Sequence, residues 1–251
     1  MKPYRSISIT TVCFIFAVGA CAYGAGKKYE VSGELKKWHN VTLTFTGPET
    51  SETAEPNPFR DYRLSVTFVK GTKRYVVPGY YAADGDAAQT SATSGNKWRV
   101  HFVPDEVGRW SFGVSFRTGP DVALSTNRRA GSGTAFDGAT GMLEIDETDK
   151  TGRDHRAKGL LRYVGEHYLK YAGNGEYFLK GGADSPENFL AYADFDDTYD
   201  ASADSGSYKD VGTFIHKYEP HLRDWKAGDP TWKNGKGKGI IGALNYLAGK
   251  G

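Results

Sequence analysis

The chain is poor in sulfur, with two cysteines and two methionines in 251 residues. Both cysteines, Cys13 and Cys21, lie near the N-terminus. If that segment is cleaved as a leader, at most one survives, and no disulfide can form within the remaining chain. An excess of one charge is also missing. Lys and Arg number 32 and Asp and Glu 30, for a formal charge of +2. A nucleic-acid binder would usually show a basic face, although near-balance does not exclude a local patch. Long hydrophobic runs are absent too. The longest, Ile7 to Ala20, is shorter than the ~20 apolar residues that span a bilayer. No Gly-x-Ser-x-Gly elbow occurs. "GKGKG", 235–239, lacks the spacing of a phosphate loop, and "HKYEPH" sets His216 and His221 five apart around a proline where a zinc-protease helix needs four.

What is plentiful is glycine, at 32, with 16 tyrosines and 13 phenylalanines, a composition suited to turn-rich β structure. The N-terminus has the layout of a secretory signal peptide over residues 1–25: Lys2 and Arg5, an apolar run, then the small residues of "GACAYGAG". Ala20-Cys21-Ala22 and Ala22-Tyr23-Gly24 both offer cleavage contexts. "VGAC", 18–21, also resembles a bacterial lipobox, in which Cys21 would become a lipidated first residue; the alternative is a chance cysteine inside an ordinary signal. Either way the expectation is an exported protein, extracellular or periplasmic, with a membrane lipid anchor through Cys21 in the lipobox reading.

Residues 29–148 read as all-β. "YEVSGEL" and "VTLTFTG" alternate apolar and polar residues as half-buried strands do. "YRLSVTFVKGTKRYVVPGYYA" holds two runs joined by a turn at Lys70-Gly71-Thr72-Lys73. "KWRVHFVPDEVGRWSFGVSFRTG" reads as a further pair of strands around "PDEVG". Trp98, Val100 and Phe102 share one face, and Trp110, Phe112, Val114 and Phe116 share one face of the partner. These aromatics, with Trp38, are expected in the core rather than on a carbohydrate platform. "MLEID", Met142 to Asp146, is the expected last strand. Many short strands with regular turn signals predict an Ig-like antiparallel β-sandwich. "GPETSETAEPNPFRD", "DGDAAQTSATSGN" and "NRRAGSGTAFDGATG" read as long loops.

The charged stretch 149–160 reads as a linker. Beyond it, 161–251 predicts a hairpin at Asn174-Gly175 and a strand in "EYFLKGG". An acidic loop follows, then partial helical spacing through Phe214, Ile215, Tyr218, Leu222 and Trp225 that Pro220 should limit. In the final helix, Ile240, Ile241, Leu244 and Leu247 share a face. A strand, a long loop and a helix make the opening unit of an α/β domain.

Four strings carry a resemblance: "NVTLTFTGPETSETAEPNPFRDYRLSVTF", "ATSGNKWRVHFVPDEVGRWSF", "GRDHRAKGLLRYVGEHYLKYAGNGEYFLKGGADSPENFLAY" and "KGKGIIGALNYLAGKG". They resemble a family of secreted bacterial glycoside-hydrolase-like proteins in which a β-sandwich domain of unknown function precedes an apiosidase-like (β/α)8 barrel. The resemblance implies a chain that is mainly β: a whole sandwich followed by an incomplete α/β (TIM-barrel) start, the first barrel strand and helix. It implies a polysaccharide or oligosaccharide partner, no cofactor, and a catalytic carboxylate pair beyond Gly251, so that this chain alone is inactive. The alternative is a non-catalytic carbohydrate-binding or cell-surface sandwich module.

Barrel enzymes build their sites on loops after the strands. Asp184, Ser185, Glu187 and Asn188 follow "EYFLKGG" and could line a sugar site. Equally, Asp184 or Ser185 could cap a short helix opened by Pro186, with Glu187 in its first turn. Asp194, Asp196 and Asp197 suggest calcium, but their spacing matches no complete EF-hand loop, and a solvated acidic loop is the simpler reading. Trp225 and Trp232 could stack on sugar rings or pack over the barrel edge.

Overall fold

The computed structural model describes residues 29–181, 186–199 and 215–250. The expected signal peptide over 1–25, the lipobox with Cys21, and both Asp184 and Ser185 lie outside the described residues.

Strand β1 covers Tyr29–Gly33, β2 Val41–Ser51, β3 Tyr62–Lys70, β4 Lys73–Pro78 and β5 Tyr80–Tyr81. A short helix α1 (Ala87–Thr90) precedes β6 (Ser94–Phe102), β7 (Gly108–Thr118), β8 (Ser132–Gly133) and β9 (Thr140–Ile145). They make two antiparallel sheets, one ordered β1-β2-β6-β5, the other β4-β3-β7 with β8 and β9 both paired to β7. The two-residue turn Gly71-Thr72 closes β3 onto β4 where it was expected, with Lys70 opposite Lys73.

Alternation makes the core. Val41, Leu43 and Phe45 of β2, Leu64, Val66 and Phe68 of β3, Trp98, Val100 and Phe102 of β6, and Trp110, Phe112, Val114 and Phe116 of β7 are buried at alternate positions. Between the sheets, Phe68 of β3 stacks on Phe102 of β6 with centroids 3.9 Å apart. Phe136, from the β8–β9 connection, lies between Phe45 at 4.5 Å and Phe116 at 4.3 Å and so bridges the two layers.

Three local expectations are corrected. β6 and β7 are not a hairpin: β6 pairs β2 and β5, while β7 pairs β3, β8 and β9. "PDEVG" crosses from one sheet to the other, so the two aromatic faces meet across the core instead of lying side by side. Part of the expected loop after Thr46 is strand, because β2 resumes pairing at Thr50 after a register shift; a bulge tolerates Pro48. Trp38, though buried, lies outside the main core cluster. Its ring meets Gly159 and Gly173, where an added Cβ would come within 2.9 Å of the indole at the first and 2.6 Å of the Lys158 carbonyl oxygen at the second.

The linker is structured. Asp154 caps α2 (His155–Lys158) by accepting from the Arg156 N–H at 2.9 Å. A small antiparallel sheet follows, β10 (Leu161–Arg162), β11 (Leu169–Tyr171) and β12 (Tyr177–Phe178), with β11 central. The hairpin at Asn174-Gly175 joins β11 to β12 as expected. The expected barrel strand is represented by β12, which is antiparallel to β11, whereas neighbouring barrel strands run parallel. Parallel pairing among the described residues is limited to the isolated bridges Lys36–Asp146 and Tyr192–His216. After α3 (Pro186–Leu190), the segment expected to be helical from Phe214 instead has Tyr218 in a left-handed conformation, followed by a 3-10 helix, Glu219–Asp224, with Pro220 at its start. Phe214 itself lies outside the described residues. The last helix, α4 (Lys238–Lys250), forms where its spacing placed it, but only its first half is covered. Ile240 is buried, while Leu244 and Leu247 are 47% and 55% exposed.

Candidate functional site

Of the four residues singled out after "EYFLKGG", Asn188 stands exposed on α3 and Glu187 falls within that helix. Pro186 opens α3, as the capping alternative anticipated. The acidic triplet does not converge on one point. Asp194 accepts from the Tyr192 hydroxyl at 2.7 Å and the Gly237 N–H at 2.8 Å, while Asp196 accepts from Ser91 at 2.8 Å and pairs with Lys233. These bonds use the carboxylates as internal acceptors. Burial, then Asp194, pushes the Tyr192 phenol up to about 12. Trp232 stacks on Phe195 at 5.5 Å, and Trp225 lies under the Lys238 ammonium at 4.5 Å.

A group with metal-ligand chemistry, Glu34, His39 and Asp149, brings its ligand atoms within 4.8 Å of one another. The donor set does not suit a cation. His39 is buried and both ring nitrogens are engaged, one by Glu34 and the other by the Thr148 hydroxyl at 2.9 Å. Lys36 and Lys150 hold Asp149 at 2.7 and 3.2 Å, and Lys150 and Arg156 each stand 3.9 Å from Glu34. Three cations around two carboxylates leave no negative field for a metal. The cluster fastens the start of the linker to the beginning of the sandwich.

A concavity lies beside the edge strand β5. It encloses about 320 Å³ and is lined by Glu52, Phe59, Tyr80, Asp86 and Arg99, among others, a volume within the range of small-ligand sites. Its two walls are loops that the sequence stiffens locally. In one, Asn57 accepts from the Phe59 N–H at 2.9 Å and donates its own N–H to Asp61, also at 2.9 Å. This presents Phe59 with 56% of its surface exposed, edge-on to Tyr81 at 6.1 Å. In the other, Asp84 accepts from the Thr90 hydroxyl at 2.6 Å and the Asp86 N–H at 2.8 Å, closing the turn into α1. Those two bonds, Thr90 first, hold the Asp84 carboxyl below its ordinary range. The floor is β5. Tyr81 points inward and donates to the Thr50 carbonyl at 2.6 Å, and Tyr80 points outward, 43% exposed. Glu52 and Asp86 are exposed at the rim. The cleft therefore offers two apolar ring faces, a guanidinium and two carboxylate acceptors in one place. Sequence reasoning passed over it, since Phe59 and Asp86 lie in stretches read as irregular loops and Tyr80 in a run read as continuous strand. The paired aromatics of "PGYYA" were the available signal.

A second concavity, about 480 Å³, is bounded by Glu55, Arg60, Asp61 and Asp121. Its charges are spent internally. Arg60 reaches Asp61 at 3.2 Å, Asp121 at 3.3 Å and Glu55 at 3.5 Å. The bond from Arg60, then the N–H groups of Asp121 and Asn57, draw Asp61 down to about 2. This is the pin that joins the β2–β3 connection to the end of β7.

No curated protein matches the chain. Among solved structures it is similar to a candidate glycoside hydrolase from Bacteroides vulgatus, at 26% identity and a TM-score of 0.38 over 57% of this chain. That match covers 20% of the other protein, so this chain spans about a fifth of its length. Residues 34–117, the stretch running from just before β2 almost to the end of β7, match the family described as "Domain of unknown function (DUF5060)".

Proposed function

We propose that the chain is the accessory, non-catalytic part of an exported glycoside hydrolase acting on polysaccharide. In this reading the sandwich holds the polymer, and catalytic carboxylates outside these residues cleave it. The observation that carries the reading is the cleft beside β5, where the exposed rings of Phe59 and Tyr80 flank Arg99 and Glu52. A sugar ring has an apolar C–H face that can lie against an aromatic ring, and hydroxyls that bond to guanidinium donors and carboxylate acceptors. The family-like strings support the hydrolase context. So does β12, an edge strand whose second side is unpaired among the described residues and could take a parallel barrel neighbour. Asp184, Ser185, Glu187 and Asn188 would then contact the oligosaccharide from the barrel side. Export, with lipid on Cys21 if the lipobox is used, completes this reading.

The test is affinity electrophoresis of the full chain through gels loaded with different glycans. Retention by at least one polysaccharide is expected, weakened several-fold by Phe59→Ala and Tyr80→Ala, with no turnover of polysaccharides or aryl glycosides. Retention that ignores both substitutions, or robust hydrolysis by the pure chain, overturns it. A second reading, a free-standing cell-surface binding module, is favoured by the cleft being built entirely within the sandwich. A variant ending near Asp149 that binds as well as the full chain would select it.

A further inference from the structure

The outer face of the β1-β2-β6-β5 sheet carries a row of basic side chains on β6. Along β6, Trp98, Val100 and Phe102 point into the core. Lys97, Arg99 and His101 therefore point outward, about 7 Å apart along the strand. Opposite them on β2 stand Thr46, Thr44 and Thr42 in register. Each basic group bonds to its own threonine hydroxyl: Lys97 Nζ to Thr46 at 2.9 Å, Arg99 Nε to Thr44 at 3.1 Å, and His101 Nδ1 with Thr42 at 2.8 Å. On the other side, Tyr80 bonds to His101 Nε2 at 2.8 Å and lies opposite Arg99 on β5.

These threonine bonds orient Lys97 and Arg99 without neutralising them, whereas burial, then the Arg99 charge, lowers the His101 imidazole and leaves it a hydrogen-bonding neighbour held by Thr42 and Tyr80. Among the described residues, neither Lys97 nor Arg99 is in an ion pair. The acidic neighbours are Asp84, already bonded to Thr90 and Asp86 and acting on Arg99 through charge alone, Glu52 and Asp86 at the rim of the cleft that Arg99 also lines, and Glu30, exposed on β1 opposite Thr44. Elsewhere on the sandwich several surface cations are matched, Lys70 and Lys73 with Glu106, Arg109 with Glu144 and Lys36 with Asp149, while Arg63 and Arg117 are spent on loop carbonyls. Two oriented cations outside any ion pair among the described residues, beside an aromatic cleft, can meet the charges of a negatively charged polymer. With Nε held by Thr44, the terminal nitrogens of Arg99 present a planar fork that matches the two oxygens of a carboxylate.

We propose that this face binds an acidic polysaccharide bearing sugar carboxylates, with a uronate unit held by Lys97 and Arg99 and a ring lodged at Tyr80. This rests on the sugar-binding reading above and names its ligand class. The full chain is run through gels containing polygalacturonate, a sulfated galactan or a neutral glucan, alongside Lys97→Gln/Arg99→Gln, the single variant Arg99→Gln and, as the equal-charge control for that single variant on the opposite sheet, Arg109→Gln. Circular dichroism melts confirm that each variant is folded. Expected is retention by polygalacturonate that falls about tenfold in the double variant, is abolished near 1 M NaCl, and is unchanged in Arg109→Gln. Equal loss in Arg99→Gln and Arg109→Gln, unaltered retention of the double variant, or preference for the sulfated gel overturns the assignment. Retention by neutral glucan alone, sensitive to Tyr80→Ala, overturns the acidic ligand and leaves the sugar-binding reading standing. No retention in any gel removes both.

Discussion

The sandwich and the region after it are built on different terms. Among the described residues, twenty of the twenty-four buried hydrophobics lie between Trp38 and Ile145, and fifteen of the twenty-two large exposed hydrophobics lie from Leu160 onward. The sandwich is closed by rings stacked between its sheets. The later region keeps Leu179, Leu190, Leu244 and Leu247 in solvent and is held to the sandwich mainly by particular contacts. Trp38 packs on Gly159 and Gly173. Arg162 reaches Asp105 at 3.0 Å, Gln89 accepts from the Lys233 N–H at 2.7 Å, and Ser91 bonds to Asp196. The comparison teaches that the sandwich is closed by its own core, whereas the later region leaves much of its apolar surface in solvent.

The strongest way to break the contrast is to empty the sandwich. Phe116→Ala removes a fully buried ring stacked on Phe136, and a loss of about 3–5 kcal/mol is expected, seen as a lower urea midpoint for the whole chain. Leu247→Ala in the exposed half of α4 should shift the midpoint by less than ~0.5 kcal/mol. Equal effects would erase the distinction.

The next effect is at the join. Asp105 is buried and accepts from Tyr75 at 2.7 Å and from Lys73 and Arg162 at 3.0 Å. Burial pushes its carboxyl up, but Tyr75 and Lys73 outweigh it and the net shift is downward. Asp105→Asn should cost about 2 kcal/mol and speed amide exchange over β10 and β11 more than over β2 and β6. Uniform exchange would show that the two regions unfold as one.

The smallest effect is on pH. Asp61 sits at about 2 in the folded chain and near 3.9 unfolded. Its ionised form therefore contributes stability above pH ~4 that is lost as pH falls toward 2. Melting temperature should drop over that window, and Asp61→Asn, already less stable at neutral pH, should drop less. A variant as acid-sensitive as the parent would place the titrating group elsewhere.

How much of this was legible varies with the kind of question. Val41, Leu43, Phe45 and the alternating residues of β6 and β7 could be read as core because side chains on a strand alternate strictly, and burial follows. Which strands are neighbours could not be read the same way. "PDEVG" has turn residues, and nothing in its composition distinguishes a hairpin from a crossing between sheets. Helix α4 was readable from its spacing. Its close seat on the 3-10 helix, where a Cβ at Gly242 would collide with the His221 carbonyl, was not. The basic row on β6 was implicit in "KWRVH", but its orientation depends on threonines more than fifty positions away.

The amino-acid order by itself determined the apolar stretches of β2, β3, β6 and β7, the buried face of each and the two-residue turn at Gly71, because these depend on local geometry and a period of two. Tertiary structure alone decided that Phe136 bridges the sheets, that Trp38 serves the join, and that Phe59, Tyr80 and Arg99 border one cleft. Each of these brings together residues distant in the chain, and such proximity is settled by how two twisted sheets and their connections pack, a property that no local stretch carries.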